Sequence, residues 1–138
     1  MTELRVYLPI EDLQPQFSAW LSSPTRARAY PPFKGQNSLI IEVAPALSIH
    51  KIADLALKAA PDMEPGLLFT ERQFGLLELH ADKMSDLDAA GNAILSGIGA
   101  SASDQLSPKI LYSLPSSPLK KLILSIKPKI FTPVLSNI

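Results

Sequence analysis

The run Leu68-Phe69-Thr70-Glu71-Arg72-Gln73-Phe74-Gly75 places two opposite charges between two apolar segments. We predict that it forms the turn between a strand at Leu67–Phe69 and a strand at Phe74–His80. Hairpin turns usually favour Gly, Asn or Asp, so the adjacent carboxylate and guanidinium of Glu71 and Arg72 mark a candidate functional site. The alternative is an exposed pair on a loop, which contributes little to stability.

Around this turn, the stretch from Ser38 to Gly99 is predicted to form, in order, a strand, a helix, two strands and a helix. Ser38–Ala44 is nearly continuous apolar sequence, which is typical of a central strand covered on both faces. Ser48 is the predicted N-cap of the first helix, and Asp54 and Lys58 are spaced for an i,i+4 ion pair on its exposed face. The apolar residues of this helix predict a buried stripe of Ile49, Ile52, Ala53, Ala56 and Ala60.

Pro65-Gly66 is predicted to lie in the connection between this helix and the hairpin. The second helix is predicted to begin with Ser85 as its cap and to end at Gly97 and Gly99. Its apolar residues recur at helical spacing: Leu87, Ala90, Ile94 and Ile98. Before this stretch, the alternation from Leu4 to Ile10 predicts a half-buried strand. A short amphipathic helix follows, with one face made of Leu13, Phe17, Trp20 and Leu21, and then an irregular connection over Thr25–Gln36.

The sequence predicts one folded domain over residues 1–107, of which Ser101–Ser107 is a linker. Residues 108–113, Pro108-Lys109-Ile110-Leu111-Tyr112-Ser113, resemble the start of another strand. Residues 114–138 differ in composition, because they contain no Asp or Glu and are interrupted by prolines. We predict that this last part is an irregular tail.

Composition limits the class of protein. A chain of 138 residues can bury one ordinary core, and the combination of 46% hydrophobic with only 19% charged residues favours a self-association surface. The formal net charge of zero provides no field for steering onto nucleic acid or acidic membranes. The absence of cysteine excludes disulfides and thiolate metal sites. No secretion signal or membrane-spanning stretch is recognisable, so we expect a soluble, cytosolic protein.

No local pattern provides a catalytic signature. His50 and His80 are the only histidines, no G-x-S-x-G sequence surrounds a serine, and both histidines are expected to be structural or solvated. His80-Ala81-Asp82 is a weak match to a metal site. Gly97-Ile98-Gly99 lies at the end of a helix, whereas a glycine-rich phosphate-binding loop lies before the N-terminus of one, so no such loop is predicted here. We therefore predict no enzymatic activity, no metal and no cofactor.

Four segments resemble, in this order, a bacterial microcompartment shell domain: Leu39–Pro45, Ala56-Leu57-Lys58-Ala59-Ala60, Glu71–Glu78 and Ala89–Leu95. The opening Leu4-Arg5-Val6-Tyr7 with Asp12–Gln16 narrows the resemblance to the tandem-domain, gated-pore shell proteins of carboxysomes. The similarity covers roughly Glu3 to Ser113. It implies an α/β (α+β) fold, namely a circularly permuted shell domain with an antiparallel or mixed sheet and flanking helices.

The resemblance implies a structural protein of the carboxysome shell. Carboxysomes are microcompartments in the cytoplasm in which carbon dioxide is fixed. In this family two permuted domains form a trimeric pseudohexamer, trimers can stack as a double layer, and a Glu-Arg pair gates the central pore. The match assigns the pore and gate to Glu71, Arg72, Gln73, Phe74 and Gly75, and the edge between neighbouring tiles to Lys58. The implied partners are further copies, other shell proteins and anionic metabolites such as sugar bisphosphates and phosphoglycerate, without nucleic acid or membrane.

The resemblance stops after Ser113, where family members continue into a second domain. Ile110–Ser113 would be the second counterpart of Leu4–Tyr7, which suggests the hypothesis of a truncated or frame-shifted product with only the first domain. Such a chain forms either a sixfold ring or a remnant that does not assemble. The alternative from another class is a stand-alone small-molecule-binding or regulatory α/β domain, in which Glu71-Arg72 is only a loop pair.

Overall fold

The computed structural model describes residues 1–24 and 30–105. In chain order the elements are β1 (Glu3–Ile10), α1 (Pro15–Ser22), β2 (Asn37–Ala44), α2 (Ser48–Ala59), β3 (Glu64–Thr70), β4 (Gly75–Ala81), α3 (Met84–Ile98) and a 3-10 helix (Ala102–Asp104). Tyr30–Gln36, the described part of the predicted irregular connection, contains no helix or strand. The predicted strand at Pro108–Ser113 and the tail at residues 114–138 lie outside the described residues.

The four strands form one antiparallel sheet in the order β1-β2-β4-β3. In the described residues, this sheet and three α-helices make an α+β fold with an antiparallel sheet and flanking helices, as the sequence predicted. β2 and β4 are central, and their register pairs Ile41 with Leu77 and Leu39 with Leu79. Since paired residues of antiparallel strands point to the same face, these four side chains share what we call the inner face.

The core lies between the inner face and the helices α2 and α3. Its large side chains are fully buried: Leu39, Ile41, Ile49, Ile52, Leu77, Leu79, Leu87 and Ile94. Each such side chain contributes about 1.5–3 kcal/mol when removed from water. The predicted stripe of α2 is confirmed at four of its positions, with Ala53 only partly buried.

A close contact between β1 and α3 anchors the first strand. Gly91 is buried, and a Cβ atom at this position would lie only 1.9 Å from the hydroxyl oxygen of Tyr7. Burial, and secondarily the negative charge of Asp88, raises the pKa of Tyr7 above its usual value. On the backbone side, the Tyr7 N–H donates to Oε1 of Gln105 at 3.1 Å.

The opposite side of the sheet, which we call the outer face, is only partly covered. It carries Ser38, Glu78 and His80, all buried, together with partly or largely exposed apolar residues such as Leu8 and Ile40. The expectation that the central strand is covered on both faces was therefore only partly right.

The face that α1 was expected to bury is only partly buried: Leu13 is buried and Phe17 and Leu21 are half-buried, but Trp20 is exposed. Trp20 is 75% exposed and stacks edge-on against Phe17, with ring centroids 6.3 Å apart. The buried residues of α1 are Ser18 and Ser22, whose hydroxyls donate to backbone carbonyls within the helix. Serine side chains are small, and these hydroxyls already have hydrogen-bond partners, so the serine side of α1 can pack closely and is the buried side of the helix.

Both predicted helix caps were wrong, because Ser48 and Ser85 lie inside their helices. At the start of α2, the N–H groups of Ser48 and Ile49 donate to the carbonyls of Pro45 and Ala46, so no side-chain cap is needed. The Ser48 hydroxyl instead accepts a hydrogen bond from Thr2 at 3.1 Å. Of the two glycines predicted to end α3, Gly99 caps it with a φ of 67°, whereas Gly97 lies inside the helix.

The prediction that Pro65 and Gly66 lie in a connection was also wrong, since both residues belong to β3. A register shift separates Pro65 from Leu68 along the ladder with β4. Because β3 is an edge strand with one unpaired side, a proline without an N–H costs little there.

Candidate functional site

The turn between β3 and β4 places three polar side chains in solvent. Thr70 and Gly75 are the last paired residues of the two strands, and the N–H of Glu71 donates to the carbonyl of Phe74 at 2.8 Å. This hydrogen bond fixes the turn, while the side chains of Glu71, Arg72 and Gln73 are exposed. The predicted site residues are thus contiguous at the tip of a hairpin.

Phe74 and Gly75 attach this tip to the domain. Phe74 is half-buried and packs against Phe69, with ring centroids 6.3 Å apart and planes inclined at 48°. Gly75 is buried, and a Cβ atom there would lie 2.5 Å from the carbonyl oxygen of Ala46 and 2.7 Å from Cβ of Ile49. Gly75 therefore serves the packing of β4 against the start of α2.

The opposite charges of the tip are adjacent without forming an ion pair. Within the described ranges, no ion pair within 4.0 Å includes Glu71 or Arg72. With Gln73 and Phe74 they line a shallow hollow of about 220 Å³. Exposed, unpaired side chains on a fixed backbone can adopt different arrangements at small energetic cost. Nothing in this set of groups pairs a nucleophile with a base, so the tip can bind or repel charge but is not equipped for catalysis.

Lys58 lies on another element, in the last turn of α2. Its Nζ is 2.7 Å from Oδ2 of Asp54, which confirms the predicted i,i+4 pair, and both side chains are more than half exposed. A cation near the C-terminal end of a helix also interacts favourably with the helix dipole. In the described structure, no hydrogen bond or ion pair joins Lys58 to the turn.

Sequence reasoning missed a buried polar cluster on the outer face, formed by Ser38, Glu78, His80 and the half-exposed Glu64. The hydroxyl of Ser38 donates to Oε1 of Glu78 at 2.5 Å, and Nδ1 of His80 is 3.0 Å from Oε2 of Glu78. Because the hydroxyl contacts the carboxylate and not the imidazole, this is not a nucleophile–base pair. The available signal was a pair of ionisable residues two positions apart in an otherwise apolar strand.

His50, in contrast to His80, is exposed on α2. The described residues contain no group of three or more His, Cys, Asp or Glu side chains arranged to hold a metal ion. Among the helices of the described ranges, none has the length and apolarity needed to cross a membrane.

A family model described as the CsoS1D N-terminal domain matches residues 4–104. The carboxysome shell protein CcmP of Synechococcus elongatus is 39% identical over 111 residues, which cover 80% of this chain and 51% of that protein. The carboxysome shell protein CsoS1D of Prochlorococcus marinus is 34% identical over 111 residues, covering 80% of this chain and 42% of the relative. The chain thus spans about half the length of the curated relatives it matches. These names describe shell proteins and not enzymes.

Two solved structures have the same fold. The double ringed trimeric shell protein MSM0271 from the RMM microcompartment superimposes with a TM-score of 0.70 and 51% identity, covering 76% of this chain and 49% of that chain. The fused permuted hexameric shell protein MSM0275 from the same microcompartment has a TM-score of 0.69 and 37% identity, covering 75% of this chain and 49% of its own. Both are oligomers with about twice the length of the matched region.

Proposed function

Because the chain belongs to the CsoS1D N-terminal domain family, we propose that it is a structural protein of a carboxysome-type microcompartment shell. Its role is to assemble with further copies and with other shell proteins into a tile that has a central pore. The observation that carries the proposal is the exposed Glu71-Arg72 tip at the end of a hydrogen-bonded hairpin in a domain of this family.

The lengths of the structural neighbours support assembly into a ring. The chain matches 49% of a trimeric relative, so three chains of that relative contain about six lengths of this domain. A single domain that uses equivalent contacts therefore forms a ring of six copies. The partly uncovered outer face, with exposed Leu8, supplies apolar surface for contacts between copies.

The pore assignment rests on charge. Six copies of Arg72 around one axis would attract anions such as sugar bisphosphates and phosphoglycerate, and this attraction extends over about 8 Å at physiological ionic strength. Six copies of Glu71 would oppose it when they approach the guanidinium groups. Since the two side chains are exposed and unpaired in the described structure, their rearrangement can gate the pore, with Gln73 and Phe74 forming its rim. Lys58, on an exposed helix end, is the proposed contact at the edge between tiles.

The test is to combine particle mass with anion binding. Light scattering should give the mass of a closed ring for the full chain and equally for Glu71→Ala and Arg72→Ala, because the tip is exposed. In equilibrium dialysis with 3-phosphoglycerate, Arg72→Ala should lose binding, Glu71→Ala should gain it, and Lys51→Ala, an exposed cation on α2, should match the wild type.

A regulatory module that binds a small molecule elsewhere gives another result. In that case the tip variants leave anion binding unchanged, and the protein remains monomeric. Either finding would overturn the pore proposal, whereas a ring with unaltered anion binding would retain the shell role and remove the assigned gate.

A further inference from the structure

The solvent side of α1 is aromatic and carries no charge. Trp20, the only tryptophan of the chain, is 75% exposed, and Phe17 beside it is half-buried. No residue of the helix, Pro15–Ser22, is charged. A surface helix normally has charged or polar residues on the side that faces water. An uncharged side with exposed aromatic residues is instead typical of the central part of a contact between proteins.

A hollow of about 440 Å³ lies beside Trp20. Its volume is within the range of about 300–1,000 Å³ that is usual for ligand pockets, so it has room for an aromatic side chain. The described residues that line the hollow are all uncharged: Phe17, Trp20, Leu21, Ser23, Pro24 and Leu67. We call these six residues the α1 surface. It offers an aromatic side chain that can be inserted and, next to it, a hollow that can receive one.

This combination fits a second copy of the same surface. In a contact with two-fold symmetry the same patch of both copies meets itself. Any charge near the symmetry axis would then face a like charge, and the absence of charge from the α1 surface avoids this repulsion. Because the aromatic side chain and the hollow lie side by side, each copy can insert Trp20 into the hollow of the other.

The buried area shows how many such contacts are needed. Since Trp20 is 75% exposed, its burial removes about 200 Å² per copy from water. One contact therefore buries about 400 Å² in total, whereas stable specific interfaces bury about 1,200–2,000 Å². Six contacts between the same two rings bury about 2,400 Å², which is sufficient. The area thus favours two stacked rings over a pair of single domains, and over rings side by side that share fewer contacts.

We propose that the α1 surface joins two rings of this chain face to face, with Trp20 of each copy in the hollow of a copy in the other ring. The inference rests on the ring of the proposed function. Stacking is a second association step, so it depends on the concentration of rings, and dilute protein has the mass of one closed ring. The relative MSM0271 is itself a double ringed trimeric shell protein.

The test is light scattering of the full chain over a series of concentrations, combined with tryptophan fluorescence. The mass of the particle should rise twofold, from one ring to two, as the concentration increases. Since Trp20 is the only tryptophan, its emission reports on the contact alone. Over the same concentrations, the emission should shift to shorter wavelength and its quenching by acrylamide should decrease.

Charge variants of Ser23 test the two-fold symmetry. Ser23 is exposed and lines the hollow, so Ser23→Glu and Ser23→Lys each place like charges on both sides of the contact. Each variant alone should remain a single ring with quenchable Trp20, and an equal mixture of the two should regain the double mass. Phe33→Ala, which removes an aromatic side chain that is 63% exposed and does not line the hollow, should stack like the wild type. Far-UV circular dichroism verifies that all variants are folded.

The outcomes separate this inference from the proposed function. A wild-type protein that stays a single ring at every concentration would refute the stacking and retain the ring, whereas a monomer would refute both. A double ring in which Trp20 remains fully quenchable would show that the rings meet through another surface. Ser23 variants that stack alone, or a mixture that does not stack, would contradict the two-fold contact at α1.

Discussion

The substitution Gly75→Ala distinguishes a packing role of this residue from a role in the gate. The added Cβ would lie 2.5 Å from the Ala46 carbonyl oxygen, 2.7 Å from Cβ of Ile49 and 2.9 Å from its Cγ2. These atoms belong to the backbone before α2 and to a β-branched side chain in its first turn. No rotation of a flexible side chain can therefore relieve the overlap, and either α2 or β4 must shift.

The expected change in the free energy of unfolding of Gly75→Ala is the sum of two opposing effects. Overpacking of a well-packed site costs about 3 kcal/mol at the upper end of the usual range. Replacing Gly by Ala also stabilises the folded state by about 0.5–1 kcal/mol, because the unfolded chain has less conformational freedom to lose on folding. We expect a net loss of about 2 kcal/mol in the free energy of unfolding, which lowers the melting temperature by about 10 °C for a domain of this size.

The assay is thermal and urea unfolding of the full chain, with Gly97→Ala as the matched control. At Gly97 the nearest atom to an added Cβ is Cδ1 of Leu55 at 2.5 Å, the mobile end of a long side chain. Since alanine also favours the helix, Gly97→Ala should be neutral or stabilising. A Gly75→Ala protein as stable as the wild type would refute the packing argument. A role in the gate would then be the remaining explanation for Gly75.

Three further predictions concern β1, α3 and α2. Because the pKa of Tyr7 is raised by burial and by Asp88, the folded state retains the phenol proton above the usual value of 10.0, so stability should fall as pH rises beyond that value. Urea unfolding at alkaline pH should show this loss in the wild type and not in Tyr7→Phe. Gly91→Ala should destabilise the protein by about 1–2 kcal/mol in the same assay, and Tyr7→Phe should recover part of this loss because the overlapping hydroxyl is removed. Lys58→Ala should change the free energy of unfolding by less than about 0.5 kcal/mol, since its pair with Asp54 is exposed. The same variant should form fewer two-dimensional sheets in electron micrographs. Sheets as extensive as those of the wild type would contradict the role of Lys58 at the edge between tiles.

Hydrophobic periodicity was sufficient to predict the order of strands and helices and most of the inner core. The helical spacing of Ile49, Ile52 and Ala56 predicted the buried stripe of α2 correctly. The local signals at element ends were less reliable. Backbone carbonyls satisfied the first N–H groups of α2, so Ser48 was not needed as a cap, and the edge position of β3 tolerated Pro65.

The burial of polar residues could not be predicted from the sequence. Glu78 and His80 have the spacing of solvent-facing residues, and only the packing of Ser38 and Gly66 around them shows that they are removed from water. In α1 the reverse occurred, because two small serines were buried while Trp20 remained exposed. The tip at Glu71-Arg72 was located from its unusual turn residues, and its role in a pore stays a prediction.

The most direct measurement of this role is the spacing of Gln73 between copies in the assembled protein. The chain contains no cysteine, so Gln73→Cys provides one spin-label site per copy for pulsed electron spin resonance. Lys51→Cys, on the exposed face of α2, is the control. Our account predicts the three separations of a regular hexagon at both sites, with all of them shorter at Gln73. Labels that are uncoupled, or that lie closer together at Lys51 than at Gln73, would contradict a pore lined by Glu71 and Arg72.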